Sequence, residues 1–495
     1  MHRIRLDPKI SVSVVFVTAM FMSIMDSTIV NVALPSIARQ LNVPSSSIDA
    51  VVVAYLVSLA VVMPTTGWLG DRWGTKRIML LALTLFTISS ALCGLASSYG
   101  MLVIFRVLQG AAGGALTPVG TAMLYRTFPP SERVQVSRIL MFATILAPAL
   151  GPIIGGLLVT QLSWRWVFYV NVPVGILACL FGFIFLYEHK EKAPGRFDIM
   201  GFLLAGSGLA LLMYALSEGP SSGWSSINIF GSAILGVILL TGFVLVELKV
   251  SEPMIDLRLL RDRLFRSTNL VSLFSYAGFL GTLFIAPLYL QEARGVSALT
   301  SGLTTFPEAI GVVLSTQLVA RLYPMIGPRR LMAGGLTGVS ILMAMLTRMG
   351  PDTNLWVMRV LMFLIGAGMA YAFLPLRAAA FATISSSSTG RASAFYSAQT
   401  QLGAALGVAI LGSVLSIFGP TTLTASGAVE PNLTAYHAAF LAASVLALIA
   451  ACIALTVSDK DAAVTMRRKA RTIEPEKSPG VVVDPDAALS GEASS

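Results

Sequence analysis

The sequence predicts an all-α membrane protein with 14 transmembrane helices: two six-helix halves, two helices inserted between them, and both termini on the cytoplasmic side. Three observations lead there. The chain is too apolar to meet water, it contains fourteen apolar runs of spanning length, and its cations are placed very unevenly.

Of the 495 residues, 55% are hydrophobic and 12% are charged, with a mean hydropathy of +0.80. Soluble domains carry about 25% charged residues because their surfaces face water, so soluble multidomain and disordered chains are both excluded. The formal charge of +10 would point to nucleic acid in a soluble protein. Here the placement of the cations accounts for it, and no nucleic-acid partner is expected. Cys93, Cys179 and Cys452 lie inside apolar runs, without paired or metal-ligand spacing. With only three histidines, no metal site, cofactor or His-based catalyst is expected. Arg3, Arg5 and Lys9 precede the first apolar run as in a signal peptide. That run is too long for an h-region and no A-x-A cleavage pattern follows, so it is read as a retained membrane helix.

A spanning helix needs about 20 mostly apolar residues. The runs that qualify are 12–34, 49–69, 78–97, 101–123, 136–160 and 166–187, then 199–217 and 227–247, then 268–290, 300–323, 329–348, 354–377, 392–417 and 435–457. They divide the chain into a first half (1–197), an inserted pair (198–250), a second half (251–457) and a polar tail (458–495) expected to be a disordered cytoplasmic segment. With the N-terminus inside, 28 of the 34 Lys and Arg residues fall on the cytoplasmic side. Four lie in outer loops (Arg39, Arg165, Arg294 and Arg348), and Arg106 and Arg359 lie within helices. Cytoplasmic loops attract this excess, which sets both termini inside.

Two short matches share one offset. Gly74-Thr-Lys-Arg-Ile-Met79 corresponds to Gly327-Pro-Arg-Arg-Leu-Met332, and Arg106-Val-Leu108 to Arg359-Val-Leu361, both 253 residues apart. Paired six-helix repeats with a site between them near mid-membrane are one known way to build a transporter.

The motifs carry chemistry. The loop after the second predicted helix reads Gly67-Trp-Leu-Gly-Asp71-Arg72-Trp-Gly74-Thr-Lys76-Arg77. Lys76 and Arg77 alone would be an ordinary positive-inside loop. With the glycines and Asp71 the loop resembles the signature loop of the major facilitator superfamily, which implies that Asp71 and Arg72 latch a cytoplasmic gate. The fourth predicted helix carries Arg106-Val-Leu-Gln109-Gly110. A charge there costs about 2.5–3.5 kcal/mol unless paired or wet. The segment resembles the superfamily's helix-four motif, whose Arg is associated with proton transfer; a structural Arg bonded to backbone carbonyls is the alternative. In the fifth, Pro148-Ala-Leu-Gly151-Pro152-Ile-Ile-Gly155-Gly156 contains a G-x-x-x-G pair that by itself predicts close helix packing. Its longer form resembles the antiporter signature, which implies export.

Met25-Asp26-Ser-Thr28-Ile-Val-Asn31, Trp164-Arg-Trp-Val-Phe-Tyr-Val-Asn171-Val-Pro173 and Arg196-Phe-Asp198 resemble patterns of the fourteen-helix drug:proton antiporters, the EmrB/QacA subfamily. The resemblance implies a proton-coupled antiporter in a bacterial plasma (inner) membrane. It would export small hydrophobic or cationic compounds, driven by the proton motive force, and in some members it works with a periplasmic adaptor protein. Dedicated export of one metabolite or antibiotic is the alternative. No nucleophile–base pair, nucleotide loop or metal cluster supports an enzyme, and gate-like loops in both halves argue against an open channel.

At 1.5 Å rise per residue, Asp26 and Glu308 lie ~12 Å from the outer membrane face and Arg106 and Arg359 ~7.5 Å. Two acids and two bases thus share a layer with cancelling charge. Asp26, Arg106 and Glu308 are the expected proton-coupling residues, and Asn31, Gln109, Glu308 and Arg359 the polar candidates for a substrate pocket. For Asp26 the choice is between a carboxyl whose proton is expelled as substrate arrives and a structural salt bridge to Arg106. For Glu308 it is a cationic-substrate site, a second proton site, or a residue in a watery vestibule.

Overall fold

The computed structural model describes residues 6–42, 48, 50–190, 197–250, 253, 255–385, 388–419, 421–423 and 429–466. The chain is helical almost throughout. In order the helices are α1 Pro8–Leu41, α2 Ala50–Val62, α3 Thr66–Trp73, α4 Thr75–Leu95, α5 Tyr99–Thr127, α6 Arg133–Gln161, α7 Trp166–Tyr169, α8 Asn171–Phe185 and α9 Ile199–Ser222. There follow α10 Ile227–Glu247, α11 Arg263–Leu288, α12 Ala298–Thr305, α13 Pro307–Ile326, α14 Pro328–Met345, α15 Leu355–Ala380, α16 Thr389–Phe418, α17 Leu433–Ala454 and α18 Ala463–Met466. Between α16 and α17 a two-stranded antiparallel hairpin pairs β1 (Thr421–Leu423) with β2 (Val429–Pro431).

Some neighbouring pieces form one rod: α2 runs into α3 through the single 3-10 turn Met63–Thr65, and α11 continues into the π turn Tyr289–Ala293. Among the described residues, 13 helical spans are long and apolar enough to cross a membrane. The fifth expected span falls on α6, a continuous 29-residue helix that includes side chains outside the described residues. Helices overrun the predicted runs because capping residues extend them: Asp7 accepts from the Lys9 N–H, and Asn42 closes α1 in the left-handed region. The apolar residues that fill no core, such as Leu177, Phe183, Ile227 and Ile417, point outward, as a hydrocarbon solvent requires.

The two repeats pack alike. In the first, α1 lies on α6 and α8, α5 on α2 and α4, and α4 on α8. In the second, α11 lies on α16 and α17, α15 on α13 and α14, and α14 on α17. Each repeat sends one helix across to the other, α6 onto α13 and α15, and α16 onto α3 and α5. The matching loops also share a backbone feature. Gly74 and Gly327 have φ of +101° and +85°, which favours glycine, and each lies against a carboxylate, that of Glu188 or Asp459. Those carboxylates accept the Lys76 and Arg329 N–H groups at 3.0 and 2.9 Å.

The inserted helices form a hairpin on the outside: α9 touches both α2 and α16, while α10 packs on α9 and is otherwise largely exposed. The tail departs from expectation at its start. Residues 458–466 make turns and α18, where Thr465 is buried and hydrogen-bonds the Tyr323 hydroxyl at 2.7 Å. The rest of the predicted disordered segment, 467–495, lies outside the described residues, as does Arg196.

Candidate functional site

Five helices converge on Asp26. Small residues allow this: an added Cβ on Gly110 of α5 would run into the Tyr55 carbonyl and Ser58 hydroxyl of α2, and one on Gly114 would meet the Leu59 carbonyl at 2.5 Å. On the other flank, Gly175 of α8 lies against Thr87 of α4. Gly151 and Gly155 of α6 lie against Thr28 and Ile29 of α1, so this motif glycine pair presses α6 onto the helix that carries Asp26. Its neighbours Pro148 and Gly156 are only partly buried, nothing stands within 4 Å of an added Cβ at Gly156, and the Pro152 side chain lies outside the described residues.

Arg106 and Gln109 stand one turn apart on the same face of α5. The Arg106 guanidinium donates to Asp26 Oδ2 at 2.5 Å, to Gln109 Oε1 at 2.9 Å and, through Nε, to the Val51 carbonyl at 3.1 Å. It also lies over the Tyr55 ring at 4.2 Å and near that of Phe168 at 5.8 Å. Asp26 Oδ1 accepts from Gln109 Nε2 and from Asn171 Nδ2, both at 2.9 Å. Asn171 Nδ2 also reaches Ser90 Oγ at 3.2 Å, and the Ser90 hydroxyl donates to the Phe168 carbonyl at 2.9 Å. Asp26, Arg106, Gln109, Asn171 and Ser90 are each 0% exposed. This is a sealed ion pair with three donor bonds on one carboxylate, the arrangement that makes a buried charge tolerable.

The salt bridge to Arg106, one of the two readings of Asp26, is present, and so is the Arg106 bond to a backbone carbonyl. Glu308 and Arg359, the other acid and base of the expected charge layer, do not pair. Glu308, in the first turn of α13, is 2% exposed, and neither carboxyl oxygen has a hydrogen-bond partner. Arg359 is half-buried, its guanidinium 4.7 Å above the Trp356 ring. Glu308 packs by its backbone on Gly366 of α15, seven residues and ~10 Å along that helix from Arg359. Asn31 is exposed. Five residues on from Asp26, it points well away from that carboxyl.

The gate loop also differs in detail. Arg72 is exposed, and Asp71 pairs with Arg126 at the end of α5, at 2.8 Å and nearly buried. An added Cβ on Gly390 of α16 would meet that carboxylate at 3.1 Å, and one on Gly67 would meet the Gly390 carbonyl at 3.0 Å, so this ion pair packs directly against the other repeat. Lys76 donates to the Phe183 and Leu186 carbonyls, and Arg77 forms an exposed 3.6 Å pair with Glu188. At the same end Arg377, expected among the loop cations, is buried and donates to the Tyr276 hydroxyl at 2.8 Å, and its carbonyl accepts from Tyr125 at 2.9 Å. Tyr125 stacks on Phe381 at 4.3 Å, and Arg138 reaches Gln317. The conformer is closed at the Asp71 end.

Sequence reasoning misses Ser90, Arg126 and Arg377 and gives Asn171 no role of its own. The signal for Asn171 is a polar residue at the mouth of an apolar run within the Trp164–Pro173 motif.

Two helical repeats that pack alike, the first enclosing a sealed ion pair, form an architecture in which membrane transporters are built. The family model for the Major Facilitator Superfamily matches residues 16–323 and 268–478, and the chain belongs to that superfamily. Multidrug resistance protein 3 of Bacillus subtilis (strain 168) is 34% identical over 400 residues, 79% of this chain and 77% of that one. Putative multidrug resistance protein MdtD of Escherichia fergusonii is 30% identical over 457 residues, 92% and 96% of the two chains. In the crystal structure of the human organic anion transporter MFSD10, the fold recurs with a TM-score of 0.62 at 18% identity, over 91% of this chain and all of that one.

Proposed function

We propose that this protein is a proton-coupled antiporter that exports small hydrophobic or cationic organic compounds across a bacterial plasma membrane by alternating access. In this reading α6 is the fourteenth span, both termini are cytoplasmic, and the Asp71 end is the cytoplasmic end. The observation that carries it is the sealed Asp26 site, a carboxylate with a cation and two amides aimed at it. Ionised Asp26 accepts three bonds. Protonation removes the charge that holds Arg106 and loosens the contact of α1 with α5, so proton occupancy and helix packing are linked. A proton entering from outside would favour one packing, and its loss inside the other.

The names of the related multidrug resistance proteins support a broad range of exported compounds, with dedicated export of a single compound as the second reading. Glu308 is the second carboxyl of this scheme. Buried without a hydrogen-bond partner, it is an uncompensated acid that a cationic substrate or a second proton would satisfy. In everted membrane vesicles, adding a transported dye or biocide collapses a preformed pH gradient. Transport of such compounds with no proton movement would refute antiport.

A further inference from the structure

A protonated carboxyl in a dry site needs an acceptor for its new O–H, and the groups around Asp26 differ in whether they can supply one. Arg106 has only donors. Gln109 is engaged at both ends: its Nε2 donates to Asp26, while its Oε1 accepts from Arg106 at 2.9 Å and lies 3.6 Å from the Cys93 thiol. Turning its amide over would set NH2 against the Arg106 N–H. Asn171 is not held in this way. Its Nδ2 faces Asp26 Oδ1 and Ser90 Oγ, and its Oδ1 is buried without a hydrogen-bond partner.

We propose that Asn171 is the positioning residue that lets Asp26 carry a proton, its side-chain amide turning over as the carboxyl is protonated. This rests on the reading of Asp26 as the coupling carboxyl. The terminal amide torsion is broad and roughly two-fold, so the turn keeps Asn171 in place at the start of α8. With Asp26 ionised, Nδ2 donates to it. With Asp26 protonated, Oδ1 takes that position and accepts the O–H. The Ser90 hydroxyl, now on the Phe168 carbonyl at 2.9 Å, turns to donate to the same Oδ1. Each state leaves one amide atom of Asn171 without a partner. The turn exchanges the bonds from Nδ2 to Asp26 and Ser90 and the Ser90–Phe168 bond for two bonds accepted by Oδ1, a net loss of one hydrogen bond that keeps the two states close in energy. The residue next to α8 that senses the change is Phe168, whose carbonyl holds Ser90 and whose ring lies near Arg106.

The test is infrared difference spectroscopy of the purified full chain, titrated with acid in the absence of substrate. The Asp26 carboxyl band is the one that Asp26→Asn removes. In the unsubstituted protein an asparagine amide band changes with the same midpoint, and Asn171→Leu removes that change. Asn171→Leu also moves the Asp26 midpoint by at least about tenfold in proton concentration, while Asn171→Ser, which keeps a donor and an acceptor, moves it less. Should Asn171→Leu fail to fold, the amide band of the unsubstituted protein and the Asn171→Ser midpoint decide. An unchanged midpoint in Asn171→Leu, or no amide change linked to the carboxyl, overturns the role of Asn171. A spectrum with no carboxyl band lost in Asp26→Asn overturns the titration of Asp26 itself, a separate and recognisable failure.

Discussion

Arg106 and Arg359 occupy the same position in two repeats that pack their helices in the same way, yet they live in different surroundings. Arg106 is fully buried and spends its guanidinium on a carboxylate, an amide and a backbone carbonyl. Arg359 is half-buried beside an exposed Trp356. The acids differ in the same sense, since Asp26 accepts three bonds and Glu308 none. Duplication of a helical frame preserves packing and loop geometry, which small residues and positive-φ glycines dictate. It does not preserve charge, because a buried ion pair persists only where every member finds its partners. The first repeat therefore holds the built charge site and the second a lone acid, which fits separate duties for the two halves.

That contrast can be broken by substitution. The largest effect is expected at Arg106. Arg106→Ala strands a buried carboxylate and costs on the order of 3–5 kcal/mol, whereas Arg359→Ala loses about 0.5–1 kcal/mol of exposed ring contact; thermal unfolding of the two purified variants in one detergent measures the gap. Equal losses would show that the repeats are not divided as described. The shared frame predicts the reverse pattern. Gly74→Val and Gly327→Val each force a side chain into positive φ against a carboxylate, and each should cost about 1–3 kcal/mol, to similar extents. The smallest effect belongs to Arg77→Ala, whose exposed pair with Glu188 contributes about 0–1 kcal/mol and whose removal should leave the unfolding temperature nearly unchanged.

The frame is legible because bilayer thickness and the placement of cations constrain composition strongly. Spanning runs and the 253-residue offset stand in the sequence, and the structure shows the repeats packing alike. Partners across helices are less legible, since depth along a helix says nothing about rotation. Counting residues puts Asp26 and Arg106 in one layer, and they do meet; the same count puts Glu308 and Arg359 there, and they do not. Arg126 is invisible as the partner of Asp71 because a cation at the end of a helix looks like any other positive-inside residue. Asn171 stands in a recognisable motif, but its role depends on the α4–α8 contact that brings Ser90 and Asp26 to the same amide.

The most direct test of the central claim compares gradient-driven efflux by Asp26→Asn and Glu308→Gln in everted vesicles, using a compound the unsubstituted protein transports. The account predicts that Asp26→Asn falls to the level of vesicles lacking the protein while still binding the compound. It predicts that Glu308→Gln keeps coupled efflux of neutral compounds and loses mainly that of cations. Gradient-driven efflux by Asp26→Asn at the unsubstituted rate would contradict it.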